Sequence, residues 1–99
     1  MTKYSKDNEP PDYIDGAKVI KWSWSGQDPF GYIEHKDSAS RDEIHGLAIC
    51  QYEDSRSTYR FSCDKDWEVQ QDSPYDSIED AIERLPDQYK KVKATWRTK

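Results

Sequence analysis

The chain has 99 residues and a mass of 11.7 kDa, room for one core, which excludes a two-domain reading. Leu, Ile, Val and Phe contribute only 14 residues, but thirteen aromatics, among them four Trp and seven Tyr, supply the apolar area that so few aliphatics cannot. Fifteen bases against twenty acids leave a net charge of −5, which disfavours a general binder of nucleic acid or anionic membranes.

Residues 1–16 have neither helical nor strand periodicity, and Pro10-Pro11 blocks a helix. They read as a partly ordered N-terminal arm, with residues 17–99 as one small domain. No apolar run near the start is long enough for a signal peptide or a membrane span, so the expected location is cytoplasmic. In that compartment Cys50 and Cys63 are expected reduced and buried.

Lys18–Ser25 (KVIKWSWS) alternates Ile20, Trp22 and Trp24 against Val19, Lys21 and Ser23, the period of a half-buried strand. Gly26-Gln27-Asp28-Pro29 supplies a turn, and Phe30–His35 reads as the returning strand. Lys36–Glu43 is polar except for Ala39 and reads as a loop. Ile44–Glu53 and Thr58–Cys63 flank Asp54-Ser55-Arg56-Ser57 as a hairpin. Two registers keep the same faces: one sets Cys50 opposite Cys63, Tyr52 opposite Phe61 and Glu53 opposite Arg60, and the other sets Cys50 opposite Phe61. Glu53 and Arg60 fall on the side expected to face water. Asp64-Lys65-Asp66 turns the chain into a fifth strand, Trp67–Gln71, with Trp67 and Val69 pointing together.

Asp76–Leu85 carries Ile78, Ala81, Ile82 and Leu85 at i, i+3, i+4 and i+7, which predicts an amphipathic helix over about 76–85. Asp76 as N-cap with Glu79 three residues on makes a capping-box variant, Asp80 and Arg84 an i, i+4 pair, and Pro86 a stop. Lys91–Arg97 alternates again, with Lys91, Lys93, Thr95 and Arg97 on one side of a final strand. The sum is an α+β fold: a meander-like antiparallel sheet of five or six strands, one helix on one face and a C-terminal strand returning to the sheet. A small open barrel plugged by the helix is the alternative.

Two histidines ten residues apart and two cysteines thirteen apart, with neither C-x-x-C nor H-x-x-x-H, predict no metal site and no cofactor. A thiolate pair of Cys50 or Cys63 with His45 is conceivable, but both cysteines alternate with aromatics on the expected core face, where a thiol is inert. Gly-rich phosphate-binding motifs are absent, and twenty carboxylates make any one pair uninformative. No catalytic residue is expected, and Trp22 and Trp24 are read as core rather than as a stacking platform.

Charge layout says more. Residues 52–87 hold eleven acids and four bases, net −7, whereas residues 88–99 hold five bases and no side-chain acid. The expectation is a non-catalytic module that engages a basic surface of a partner protein through Glu53, Asp54, Asp64, Asp66, Glu79, Asp80 and Glu83. In size and charge, though in no residue motif, it resembles small acidic inhibitor and immunity proteins. A second reading makes it a nucleic-acid accessory protein using Lys90, Lys91, Lys93 and Arg97, positions that edge-strand protection explains equally well. A third places a small-molecule or enzymatic pocket between sheet and helix, lined by Trp22, Tyr32 and Tyr52. Monomer and homodimer are both compatible with the sequence.

Overall fold

Antiparallel pairing dominates the computed structural model, which describes residues 8–26, 28–34, 41–53, 57–86, 89, 92 and 94–99. The main sheet runs in the order β1 (Tyr13–Ile14), β2 (Ala17–Trp24), β5 (Gly46–Gln51), β6 (Thr58–Cys63) and β7 (Val69–Tyr75), curled around an aromatic core. A two-stranded ribbon pairs β3 (Gly31–Glu34) with β4 (Arg41–Ile44). One short helix, α1 (Ile78–Glu83), and a last strand, β8 (Arg97–Thr98), complete a roughly α+β architecture. No helix among the described residues is long and apolar enough to cross a membrane.

The sheet begins earlier than residue 17. Tyr13 and Ile14 pair with Lys18 and Ala17 across Asp15-Gly16, whose φ values of 49° and 84° are both positive, as a type I′ hairpin turn requires. Asp-Gly is the usual sequence for that turn, and it lies within the segment expected to be an arm. Ile14 is buried in the core, so the turn anchors this segment. An added Cβ at Gly16 meets nothing nearer than 4.0 Å, leaving backbone strain as the cost. Gly16→Ala is therefore expected to destabilise the domain by about 1–2 kcal/mol in urea unfolding.

Within β2 a bulge between Val19 and Lys21 resets the alternation. Val19, not Ile20, joins Trp22 in the core, opposite Cys50 and Ala48. The partner of β2 is also different from the one expected. β3 does not return along it; β5 does, while β3 pairs with a strand inside what reads as a polar loop. Residues 35–40 of that loop lie outside the described residues.

The β5–β6 register is shifted beyond both expected ones. Cys50 faces Tyr59, Ala48 faces Phe61, and Arg60 faces Ile49, so Glu53 and Arg60 are not a pair. The turn is displaced by one residue from Asp54–Ser57, closing with Tyr52 N–H donating to Ser57 O at 3.3 Å. The faces themselves hold. Ala48, Cys50, Phe61 and Cys63 share one core with Ile14, Ala17, Val19, Trp22 and Trp67.

The other face is not wet. Leu47 and Ile49 are fully buried there, Leu47 in a second core with Phe30, Ile44 and Tyr89. Arg60 and Ser62 lie on the same side, and α1 covers it: Arg60 Nη1 donates to Ala81 O at 2.8 Å and Arg84 O at 3.3 Å, satisfying carbonyls at the helix C-terminus. The N-cap is Ser77, whose side chain accepts from Asp80 N–H at 3.1 Å, so Asp76 is displaced from that role. Ala81 is buried, and Ile78, Ile82 and Leu85 are half-buried. Trp67 occupies a turn with φ 64° rather than a strand, and β7 extends on to Tyr75.

The C-terminal strand is shorter than residues 91–97. Arg97 and Thr98 pair with Trp22 and Lys21, occupying the β2 edge beyond the bulge while β1 occupies it before. Ahead of β8, Thr95 N–H donates to the buried Ser23 Oγ at 3.0 Å. Lys99 then ties the two chain ends together, its Nζ 2.9 Å from Glu9 and 3.1 Å from Asp12.

Candidate functional site

Register places Lys18, Gln51, Thr58 and Tyr75 in one row across β2, β5, β6 and β7. Beyond that row lie the Asp15-Gly16 turn, the β5–β6 loop and the entry to α1. All of them arrive at the same end of the sheet because the strands alternate in direction. This end gathers exposed acids, Asp15, Glu53, Asp76 and Glu79, together with tyrosines.

Tyr13 is half exposed, and its hydroxyl donates to Glu53 Oε2 at 3.1 Å. That hydrogen bond, then the Glu53 charge, raises the Tyr13 phenol above its ordinary value. Tyr52 donates to Asp15 O at 3.4 Å and meets Tyr59 edge-on at 5.6 Å. Partial burial, then the charges of Asp15 and Asp72, push the Tyr52 phenol up as well. Asp72 on β7 and Asp15 on the first turn thus act on one ring, which follows from the curl of the sheet. Lys18 is the basic group beside them, lining with Ile20, Gln51, Tyr52 and Glu53 a cleft of about 280 Å³.

The acids singled out in the sequence separate. Glu53, Glu79 and Asp80 belong to this end, with Asp80 half-buried beside Tyr75 and Arg84, and Glu83 exposed at the far end of α1. Asp54 lies outside the described residues. Asp64 and Asp66 sit in the β6–β7 turn at the opposite end of β6, about 20 Å away at the usual strand rise. Asp64 has work of its own there: Oδ1 accepts from Asp66 N–H at 2.8 Å and Glu68 N–H at 2.9 Å. Asp64→Asn, which keeps that acceptor, is expected to stay near wild-type stability, whereas Asp64→Ala costs about 1–2 kcal/mol in urea unfolding.

Among the basic residues considered for nucleic acid, Lys90, Lys91 and Lys93 lie outside the described residues, and Arg97 stands 5.6 Å over the Trp22 ring in β8. The pocket of Trp22, Tyr32 and Tyr52 does not assemble. Trp22 is in the core and Tyr52 against it, on the face away from α1, while Tyr32 lies on the β3–β4 ribbon beneath Arg41. The cysteines face the same core. Burial pushes the Cys50 thiol up to about 12 and the Cys63 thiol up further, the opposite of nucleophile activation. No three of His, Cys, Asp and Glu among the described residues converge as a metal site needs.

Sequence reasoning missed Tyr13, Asp15 and Asp72 as members of one surface. Asp15-Gly16 was the usable signal, since reading it as a hairpin brings Tyr13 onto the sheet. Comparison with family models, with curated proteins and with solved structures returns no match to this chain.

Proposed function

We infer that the protein is a binding module whose tyrosine-bearing acidic end docks on an arginine-rich surface of a partner protein. The observation that carries this reading is the half-exposed Tyr13 ring held by its hydroxyl on Glu53, with Tyr52 and Asp15 alongside. A fixed aromatic face offers stacking to a guanidinium, and the neighbouring carboxylates offer bidentate acceptors. Tyrosine loses little side-chain freedom on binding and is enriched among residues that dominate interface energies.

The test is titration of the ¹⁵N-labelled full chain with an arginine-rich peptide and with a lysine-rich peptide of equal charge. Expected are shifts confined to residues 12–16, 52–53 and 72–79, stronger with arginine and weakened by salt. The double variant Y13F/E53Q, which removes the hydroxyl that fixes the ring and the charge of the carboxylate that holds it, is expected to weaken binding about tenfold, equivalent to roughly 1.4 kcal/mol. Equal shifts at the Asp64–Glu68 turn, or indifference to arginine over lysine, would overturn the reading.

A further inference from the structure

At the other end of β5 stands a side-chain array that the acidic surface does not use. His45 is the one-residue break between β4 and β5, 9 % exposed. Its Nε2 lies 3.0 Å from Glu43 Oε1, and its Nδ1 lies 2.9 Å from Ser25 Oγ. We propose that Ser25, His45 and Glu43 form a serine nucleophile, its base and the group that positions the base, and that the array turns over small carboxylic esters.

The proposed base is the neutral imidazole with its proton on Nε2, toward the charged acceptor Glu43 at 3.0 Å rather than the weaker carbonyl acceptor Gly26 O at 3.3 Å from Nδ1, which leaves Nδ1 bare. Bare Nδ1 is an acceptor for the Ser25 hydroxyl at 2.9 Å, nearer than the other acceptor of that hydroxyl, Gly26 O at 3.3 Å. The imidazolium that forms on proton transfer is provided for as well: Gly26 O lies 3.3 Å from Nδ1, and Glu43 remains on Nε2. Trp24 lies 5.6 Å from the His45 ring at a 31° tilt, shielding one side of it. Such a base needs a backbone that does not drift. Ser25 N–H donates to His45 O at 2.8 Å, and His45 N–H donates to Cys63 O at 3.0 Å, which locks the serine strand to the histidine hinge.

Access separates this array from a buried structural tie. Ser25 is half-buried and its neighbour Gly26, in the left-handed region at φ 85°, is exposed, so the serine lies at the surface rather than in a sealed core. Ser25 Oγ attacks the ester carbonyl carbon as its proton passes to His45 Nδ1. Collapse breaks the bond from the acyl carbon to the alkoxy oxygen, and His45 returns the proton to the departing alcohol. Water, deprotonated by the same Nδ1, then attacks the acyl carbon. The acid leaves and Ser25 recovers its proton, for a net conversion of ester and water to acid and alcohol.

The test treats the full chain with 4-nitrophenyl acetate, whose good leaving group lowers the demand on charge stabilisation at the carbonyl. Nitrophenolate release is followed together with the position of the acetyl group by peptide mass spectrometry. Expected is acetyl on the Ser25 peptide, with release slowed about 100-fold in Ser25→Ala, a substitution small enough to keep the fold. Glu43→Ala, which removes the acceptor on Nε2, is expected to slow release about tenfold and to change the His45 imidazole ¹⁵N shifts from those of the Nε2–H tautomer, a readout that loss of packing alone would not produce. Unchanged release in Ser25→Ala, or acetyl on lysine or tyrosine with none on Ser25, would overturn the proposal.

Discussion

Above pH 9 the domain is expected to lose stability steeply and to unfold before pH 12. Cys50 and Cys63 lie fully buried on the aromatic face of the sheet, and burial raises both thiols above their ordinary value of 9.0, Cys50 to about 12. A group whose folded value is raised stabilises fully below its unfolded value and loses that contribution as pH climbs toward the folded one. The unfolded chain ionises at pH 9 while the folded one stays neutral, so folding must take up protons and is disfavoured by alkali. Each thiol contributes a slope of about 1.4 kcal/mol per pH unit, and Cys50 alone accounts for about 4 kcal/mol across its window. Burial raises the Tyr89 phenol in the same direction. A domain of this size has about 5–10 kcal/mol to lose. Circular dichroism against pH under reducing conditions should show a cooperative transition. Cys50→Ala should lower stability at pH 7 yet flatten the alkaline slope, and curves that run parallel in wild type and variant would refute the assignment.

The same two cysteines mark what was readable in the sequence. Alternation placed Cys50 with Cys63 and Phe61 on one face, because a period of two fixes faces whatever the register. Register depends on where the loop closes, and the bond from Tyr52 to Ser57 closes it one residue earlier than the flanks Glu53 and Thr58 imply. Alternation also assumes an unbroken ladder. The bulge at Ile20 adds one residue, and Val19 changes sides with nothing in the composition of KVIKWSWS to announce it. Arg60 misleads for another reason: a charged residue in a strand reads as solvent-facing, yet its guanidinium is buried where helix carbonyls need donors.

Candidate sites were legible only where they are local. Glu53 stood out by charge, but its bond to Tyr13 spans 40 residues of sequence. Glu43 and His45 are two apart, the spacing of one strand face, whereas Ser25 reaches them only through the pairing of β2 with β5.

Gly46→Ala is expected to be far more damaging than Gly16→Ala or Gly26→Ala. A Cβ at Gly46 would stand 2.5, 2.7 and 2.8 Å from three atoms of the Trp67 ring, well inside van der Waals contact. That ring cannot step aside. It meets Trp22 edge-on at 6.2 Å and Trp24 at 5.9 Å, and its Nε1 donates to Asn8 O at 3.0 Å. Its own backbone, at φ 64°, already sits in the left-handed region, where a bulky residue is costly and further adjustment is limited. On the other side, Gly46 opens β5, the central strand, and forms the end rung with both Trp24 and Cys63, so the strand cannot retreat there without breaking a rung on each side. Overpacking of this kind costs about 3 kcal/mol, measurable as a lower urea midpoint with unchanged slope. The double variant separates this clash from any intrinsic cost of alanine. Trp67→Leu removes the ring and is itself destabilising, but adding Gly46→Ala to it should cost far less than in the wild type, a coupling of about 2 kcal/mol. Strict additivity would mean that Trp67 does not lie over Gly46, and the packing of the first core would have to be redrawn.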